Sequence, residues 1–258
     1  MVRGIDKFRE RFSQYDGNYV IIGGTACEIH EELNAQMPRA TKDIDIILII
    51  EALTTEFAEK FWEFIKDGKY SDRQTGETSI NPKHQYYRFR NPENREFPVQ
   101  LELFSRNIGI IKNPQNFHLT PIPIDEDLSS LSAILMDDDY YNYTIEHSQV
   151  EEGVHIANIE SLICLKCRAY LEMVSGKERT DSKHIKKHRN DVFRLGAMLI
   201  PDVKYKLPER LFEDVGLFCE LVANDMPDDN LFKSANIRGV NVGMVLEAIK
   251  SNFLGIGG

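Results

Sequence analysis

The sequence predicts an α+β fold, in which a sheet with flanking helices is followed by a C-terminal helical region. Two observations support this prediction. Short apolar runs rich in β-branched residues and bounded by turn residues are confined to the chain before about residue 150. Beyond that point, apolar residues recur at helical spacing in successive segments. We therefore predict an α/β domain over residues 1–150 and a helical C-terminal domain over residues 151–258.

Strands and helices alternate in the first predicted domain. The segment YVIIGG, residues 19–24, indicates a strand that runs into two glycines, and residues 25–33 have the pattern of a helix. The segment KDIDIILII, residues 42–50, is apolar on both faces, which is typical of a strand buried on both sides. The remaining predictions are a helix over 51–68 that ends at a glycine, and strands over 84–91, 97–105 and 131–137.

Helical periodicity dominates the second predicted domain. Asn158 is placed to cap the start of a long helix, and Gly176 is placed to end it. Three further helices are predicted over residues 182–199, 208–225 and 241–256. We find no internal repeat and no low-complexity tail.

Composition and charge limit the class of protein. The 258 residues are 42% hydrophobic and 28% charged, which is ordinary for a globular chain. A formal net charge of −10 argues against a protein that coats nucleic acid with its whole surface. Residues 177–194 are a local exception, because this segment contains seven Lys and Arg residues and only three acidic residues.

Neither a membrane span nor a signal peptide is predicted. The longest apolar run, near Ile44, is far shorter than the roughly 18 residues that a transmembrane helix needs. The opening segment MVRGIDKFRERF carries charges where a signal peptide has its apolar centre. We therefore expect a cytoplasmic protein.

Four cysteines are too few and too scattered for a disulfide framework. Cys164 and Cys167 have the spacing of a zinc or redox half-site, but they lie in a segment with helical periodicity. We interpret them as core thiols, with zinc binding as the alternative.

Two aspartates stand at the start of the apolar strand predicted over residues 42–50. Because residues i and i+2 of a strand share a face, Asp43 and Asp45 point the same way, about 7 Å apart along the strand. Paired carboxylates repel each other unless a cation lies between them. A hard divalent ion such as Mg²⁺ is the partner that this pattern favours.

A third carboxylate and a glycine turn extend the predicted site. Glu102 lies between two leucines of a predicted strand, where an unpaired charge would be costly, although the same alternation would allow it to face water. Gly23, Gly24 and Thr25 join a strand to a helix, an arrangement in which backbone N–H groups can cradle phosphate. These parts suit in-line attack on the α-phosphate of a nucleotide, with two metal ions holding the attacking and leaving oxygens.

Five segments carry a resemblance to a known family: IIGGTA (21–26), PRATKDIDI (38–46), LELF (101–104), LICLKCRAYLE (162–172) and KKHRNDVFRL (186–195). Together they resemble the DNA polymerase β nucleotidyltransferase superfamily and, within it, the AbiEii-type toxin nucleotidyltransferases. The resemblance covers roughly residues 15–200 and implies a nucleotidyltransferase-type mixed sheet. The residues beyond 200 carry no motif that we can interpret.

The resemblance also implies roles for individual residues. It makes Asp43, Asp45 and Glu102 catalytic residues and ligands of Mg²⁺ or Mn²⁺, with Glu102 as the general base. It assigns nucleotide binding to Gly23, Gly24, Thr25, Lys166, Lys187 and Asp191.

The function that the resemblance implies is transfer of a nucleoside monophosphate from ATP or another NTP onto an RNA, possibly a tRNA, or onto a protein. The enzyme would be the toxin of a toxin–antitoxin or phage-defence system, with a cognate antitoxin as partner. Two alternatives are a nucleotidyltransferase that modifies small molecules such as antibiotics, and a non-catalytic nucleotide-binding or antitoxin-like module.

The sequence departs from the superfamily pattern at two places. Eighteen residues, 25–42, separate Gly24 from Asp43, which predicts an inserted loop at residues 34–39. Glu96 lies in the same region as Glu102 and competes with it for the place of the third carboxylate.

Overall fold

A computed structural model describes residues 1–77, 85–105, 120–121, 134, 137–176 and 182–255. Within these residues, eight strands form one mixed sheet and helices flank it, which confirms the predicted α+β fold. The strands are β1 (Tyr19–Ile22), β2 (Asp43–Leu48), β3 (Tyr70–Glu77), β4 (Gln85–Pro92), β5 (Gln100–Ser105), β6 (Thr120–Pro121), β7 (Ser148–Glu151) and β8 (Val154–Ala157).

The strand order across the sheet is β6-β3-β4-β5-β2-β1-β8-β7. Strand β2 is antiparallel to β1 on one side and parallel to β5 on the other. Strand β4 runs antiparallel to β5, and β8 runs parallel to β1. The two strands that carry the predicted carboxylates, β2 and β5, are therefore direct neighbours in the middle of the sheet.

Nine α-helices are present in the described ranges: α1 (Ile5–Phe12), α2 (Gly23–Leu33), α3 (Thr55–Gly68), α4 (Asp138–Glu146), α5 (Ile159–Ser175), α6 (Ser182–Gly196), α7 (Glu209–Val222), α8 (Asn230–Ser234) and α9 (Val242–Ile249). A π-helical turn, Lys250–Leu254, continues α9, and short 3-10 turns lie at Asp16–Asn18 and Ile50–Ala52. Of the helices in the part of the chain that the structure describes, none is both long and apolar enough to cross a membrane.

Most of the predicted segments are present with shifted ends. The predicted strands over 19–24, 42–50, 84–91 and 97–105 correspond to β1, β2, β4 and β5, and each predicted helix has a counterpart. Helix α2 begins at Gly23, so the two glycines belong to its first turn and not to the strand. The strand predicted over 131–137 lies largely outside the described residues.

Helices α1, α4 and α8 and strands β3, β6, β7 and β8 were not predicted. Strand β3, with the sequence YSDRQTGE, is too polar to resemble a buried strand, and β7 and β8 are only four residues each. Pairing with β4 along its length defines β3, and this long-range contact leaves no local signal in the sequence.

The hairpin of β7 and β8 spans the boundary predicted at residue 150. Strand β8 pairs with β1, with Ile156 opposite Ile21, so the hairpin belongs to the same sheet as the carboxylates. The helical region begins after it, at α5, with Asn158 at the N-cap position and Gly176 at the C-cap position as predicted. The division of the chain into two domains stays a prediction.

The core packs on both faces of the central strands. Every residue of β1 is buried. Phe8 and Phe12 of α1 pack edge-to-face against Tyr19, and Phe64 of α3 packs edge-to-face against both phenylalanines. The four cysteines are buried and not disulfide-bonded, which confirms the interpretation of Cys164 and Cys167 as core thiols. Burial on both sides holds β1 and β2 rigidly at the place where the predicted site begins.

Candidate functional site

The turn between β1 and α2 brings backbone against the side chain of Asp45. Gly23 has a φ of 67°, a left-handed conformation, and a Cβ added to it would overlap Asp45 Oδ2. A Cβ added to Gly24 would lie 2.7 Å from Thr41 Oγ1. Glycine is therefore required at residue 23 both for the backbone conformation and for the space that the carboxylate occupies.

The N-terminus of α2 opens toward this carboxylate. The first turn of any α-helix carries N–H groups without intrahelical acceptors, and Ile22, at the N-cap position, has no side-chain oxygen to accept from them. The helix dipole adds a partial positive charge at the same end. These are the features of an anion site, and they lie next to Asp45, on the neighbouring strand.

Thr25 has a different environment from the two glycines. Its side chain is buried, and its hydroxyl donates a 2.6 Å hydrogen bond to the backbone carbonyl of Asp43. The hydroxyl thus fixes α2 to the start of β2 and aligns the first aspartate. The predicted contact between Thr25 and phosphate stays a prediction.

Three predicted carboxylates lie on one face of the sheet. In the parallel pairing of β2 and β5, Asp45 is opposite Glu102 and Asp43 is opposite Gln100. Register partners on neighbouring strands have adjacent side chains on the same face. The structure therefore brings Asp43, Asp45 and Glu102 together, whereas the competing Glu96 is exposed and lies 3.6 Å from Lys7.

Glu102 is held by an arginine that the sequence reasoning did not identify. Arg88, opposite Glu102 in the antiparallel pairing of β4 and β5, donates from Nε to Glu102 Oε1 at 2.6 Å. Gln100 Nε2 donates to the same oxygen at 2.9 Å. Glu102 and Arg88 are both buried, so neither charge is screened by bulk water.

Burial and mutual repulsion raise the pKa of the carboxyl groups. Burial, followed by the charge of Asp43, raises the pKa of Asp45 to about 6. Burial, followed by the charge of Asp45, raises the pKa of Glu102 to about 8, against the lowering effect of Arg88.

The aspartate pair fits a divalent cation better than the three carboxylates together do. Among the described residues, no group of three or more His, Cys, Asp or Glu side chains is arranged so that it could hold a metal ion. Mg²⁺, however, commonly binds through one or two carboxylates and completes its octahedron with water and substrate phosphate. Asp43 and Asp45, partly buried on one strand face beside the anion site, meet that requirement.

A second charged cluster lies behind the aspartates and joins three parts of the chain. Lys166 of α5 lies with Nζ 3.0 Å from Asp191 Oδ2, and Arg39 donates to both oxygens of Asp191 at 3.2 Å. Although burial alone would raise it, these cations hold the pKa of Asp191 at about 2. The charge of Lys166 also lowers the pKa of Asp45, so the two clusters are electrostatically linked.

Lys187 and Asp191 both lie on α6, but one is exposed and the other is buried. Asp191 is buried against Lys166, whereas Lys187 is exposed. The positive charge of Lys187 lowers the pKa of both Asp43 and Asp45. Of the predicted nucleotide-binding residues, Lys187 therefore has the position most open to a ligand.

Some basic side chains of residues 177–194 lie inside the protein and not on its surface. Arg194 donates to Glu31 at 2.6 Å, and Arg189 donates to the backbone carbonyl of Asp225 at 2.7 Å. Both arginines are buried. Lys183, Lys186 and Lys187 are exposed, and they form what we call the basic face of α6.

Arg39 and Arg88 are the site residues that sequence reasoning missed. Arg39 stands four residues before Asp43 in the segment RATKDID, and Arg88 interrupts the apolar and aromatic residues of YYRFR. A charged residue inside a strand that is otherwise apolar needs a buried partner. That rule could have drawn attention to Arg88, but only the strand register identifies Glu102 as the partner.

No protein-family model matches the chain, and no curated protein matches it. The chemistry and geometry of the site are therefore the grounds on which a function can be proposed.

We predict that Gly23→Ala destabilises the fold by about 1–2 kcal/mol, because an L-residue is strained at a φ of 67°. The added methyl group should also displace the Asp45 carboxylate. Gly17→Ala is the matched control, since no atom lies within 4 Å of a Cβ added there. Urea unfolding of both variants measures the difference, and equal stabilities would contradict the required close approach.

We predict that Asp191→Asn destabilises the fold by about 3–5 kcal/mol, because it leaves Lys166 buried without its counter-charge. Asp6→Asn, which removes an exposed partner of Arg9, should change stability by less than about 1 kcal/mol. Guanidinium unfolding measures both. A loss for Asp191→Asn as small as that of the control would show that the cluster is not structural.

His188 predicts a pH dependence of stability. Burial, together with the charge of Lys166, lowers the pKa of this imidazole to about 3, while the unfolded chain binds a proton there below about pH 6.5. Acid therefore favours unfolding through this residue, by about 1–2 kcal/mol between pH 7 and pH 5. His188→Gln should reduce the fall in unfolding free energy over that range, and an unchanged slope would contradict the shift.

Proposed function

We propose that the chain is a Mg²⁺- or Mn²⁺-dependent nucleotidyltransferase that transfers a nucleoside monophosphate from an NTP to an acceptor hydroxyl. The observation that supports this proposal most strongly is the close approach of Gly23 to Asp45. That contact sets an uncapped helix N-terminus, which favours phosphate, directly beside a pair of carboxylates, which favours a divalent cation.

Each residue of the site has a role in this proposal. Asp43 and Asp45 hold the cation, which on binding would draw charge from the phosphate oxygens. The backbone N–H groups at Gly23 and Gly24 donate hydrogen bonds to phosphate oxygens, and the exposed Lys187 supplies a positive charge. Lys166 and Asp191 lie behind the aspartates and stiffen the site through their ion pair.

The reaction is an in-line displacement at the α-phosphorus. An acceptor oxygen forms a bond to that phosphorus, the bond to the β-phosphate oxygen breaks, and pyrophosphate leaves with its electron pair. The proton of the acceptor hydroxyl passes to a nearby base, for which the family resemblance suggests Glu102. The residues' main contribution is to position the nucleotide and to compensate its charge.

The basic face of α6 favours an RNA acceptor over an uncharged one. Lys183, Lys186 and Lys187 are exposed on one helix, and the charge of Lys187 acts on Asp43 and Asp45. A few phosphate contacts dominate the affinity of proteins for RNA. A tRNA or a protein as acceptor, a toxin role, a cognate antitoxin and a cytoplasmic location rest on the sequence resemblance and the composition.

We predict that the purified protein, with Mg²⁺ or Mn²⁺ and one α-labelled NTP, transfers label to the RNA or the protein fraction of a cell extract. Asp43→Asn with Asp45→Asn should reduce the transfer about 100-fold or more, because the cation and its charge compensation are lost. Asp72→Asn is the matched control, since Asp72 lies on β3 and pairs with Arg90 outside the site.

Three other outcomes of this assay would each contradict the proposed activity. Label on small hydroxylated compounds alone would indicate a small-molecule nucleotidyltransferase. Cation-dependent NTP binding without transfer to any acceptor would indicate a nucleotide-binding module. Equal transfer by the double variant and wild type would remove the aspartates from the reaction.

A further inference from the structure

The contacts of Glu102 tie one oxygen of its carboxylate to two donors. Oε1 accepts from Arg88 Nε at 2.6 Å and from Gln100 Nε2 at 2.9 Å. Among the described residues, the carboxylates also form no group of three that could hold a metal ion. In the strand register, Arg88 lies on one side of Glu102 and Asp45 on the other.

The charges of the site also argue against a second metal ion beside Glu102. The Arg88 guanidinium is paired with Glu102, and arginine does not lose its proton in proteins, so a positive charge already stands beside this carboxyl group. The two aspartates have no such salt-bridge partner within the described residues, and a single divalent cation between them would balance their charge. A second divalent cation beside Glu102 would have to displace the buried Arg88 guanidinium from that carboxylate.

We propose that Arg88 takes the place of a second metal ion, so that the site binds one divalent cation on Asp43 and Asp45, and Glu102 positions Asp45 without touching the metal. This inference rests on the proposed function and replaces the two-cation arrangement that the sequence suggested. With respect to the metal, Arg88 and Glu102 are thus positioning residues, which stand in one row with Asp45 across β4, β5 and β2.

The number of bound ions tests this arrangement without any turnover. Free Mn²⁺ is measured by electron paramagnetic resonance during a titration of the full chain in the absence of nucleotide. We expect one Mn²⁺ per chain for wild type and none at the same concentrations for Asp45→Asn. Glu102→Gln should keep one Mn²⁺ with an affinity about tenfold lower, the effect of losing a residue that orients a ligand.

Variants of Arg88 supply the second half of the test. Arg88→Met should raise the count to two Mn²⁺ per chain, because it exposes a third carboxylate, and adding Glu102→Gln should return the count to one. Arg88→Lys keeps a positive charge and should keep one ion. Arg90→Met, on the same strand and paired with Asp72, is the matched control and should also bind one.

Three outcomes would contradict either the single-cation arrangement or the proposed function. Two Mn²⁺ per wild-type chain, with one lost in Glu102→Gln, would overturn the single-cation arrangement and leave the proposed function standing. Loss of all binding in Glu102→Gln, as in Asp45→Asn, would make Glu102 a direct ligand and would also overturn it. No Mn²⁺ bound by wild type, with or without NTP, would contradict the proposed function itself. Because Glu102→Gln keeps nearly the same side-chain shape, it decides the question even if Arg88→Met does not fold.

Discussion

The close approach of Gly23 to Asp45 is the constraint on which the rest of the site depends. It requires a residue without a side chain, in a left-handed conformation, at the point where β1 becomes α2. The consequence is that the positive end of a helix lies against a partly buried carboxylate. Strand β2 holds this geometry because it is paired on both sides, antiparallel to β1 and parallel to β5.

This geometry concentrates negative charge at the site, and nearby cationic side chains compensate part of it. Arg88 neutralises Glu102, while Lys166 and Arg39 neutralise Asp191. In each case the partner comes from a different element, so that β4, α5 and the loop before β2 are tied to the site by ion pairs. The carboxyls that remain, Asp43 and Asp45, have raised pKa values, which is expected of groups arranged to receive a cation.

Local sequence patterns predicted the central strands, six of the nine helices in the described ranges and the carboxylate trio. The i, i+2 spacing of Asp43 and Asp45 needs only strand geometry, and the glycines mark the turn before α2. Strand β3 and the hairpin of β7 and β8 were missed because long-range pairing, and not apolar periodicity, defines them. Arg88 and Arg39 were missed for a related reason: an arginine in a sequence carries no sign of its partner. The register of β4 with β5 and the contact of the loop with α6 supply that information.

The most direct test of the central claim is a crystal structure of the chain with Mn²⁺ and a non-hydrolysable NTP analogue, in which anomalous scattering locates the metal. We expect one Mn²⁺ between the Asp43 and Asp45 carboxylates, with the triphosphate at the N-terminus of α2 and Glu102 still bonded to Arg88. A metal or a triphosphate bound elsewhere on the chain, with the space between the aspartates and Gly23 filled by water, would contradict it.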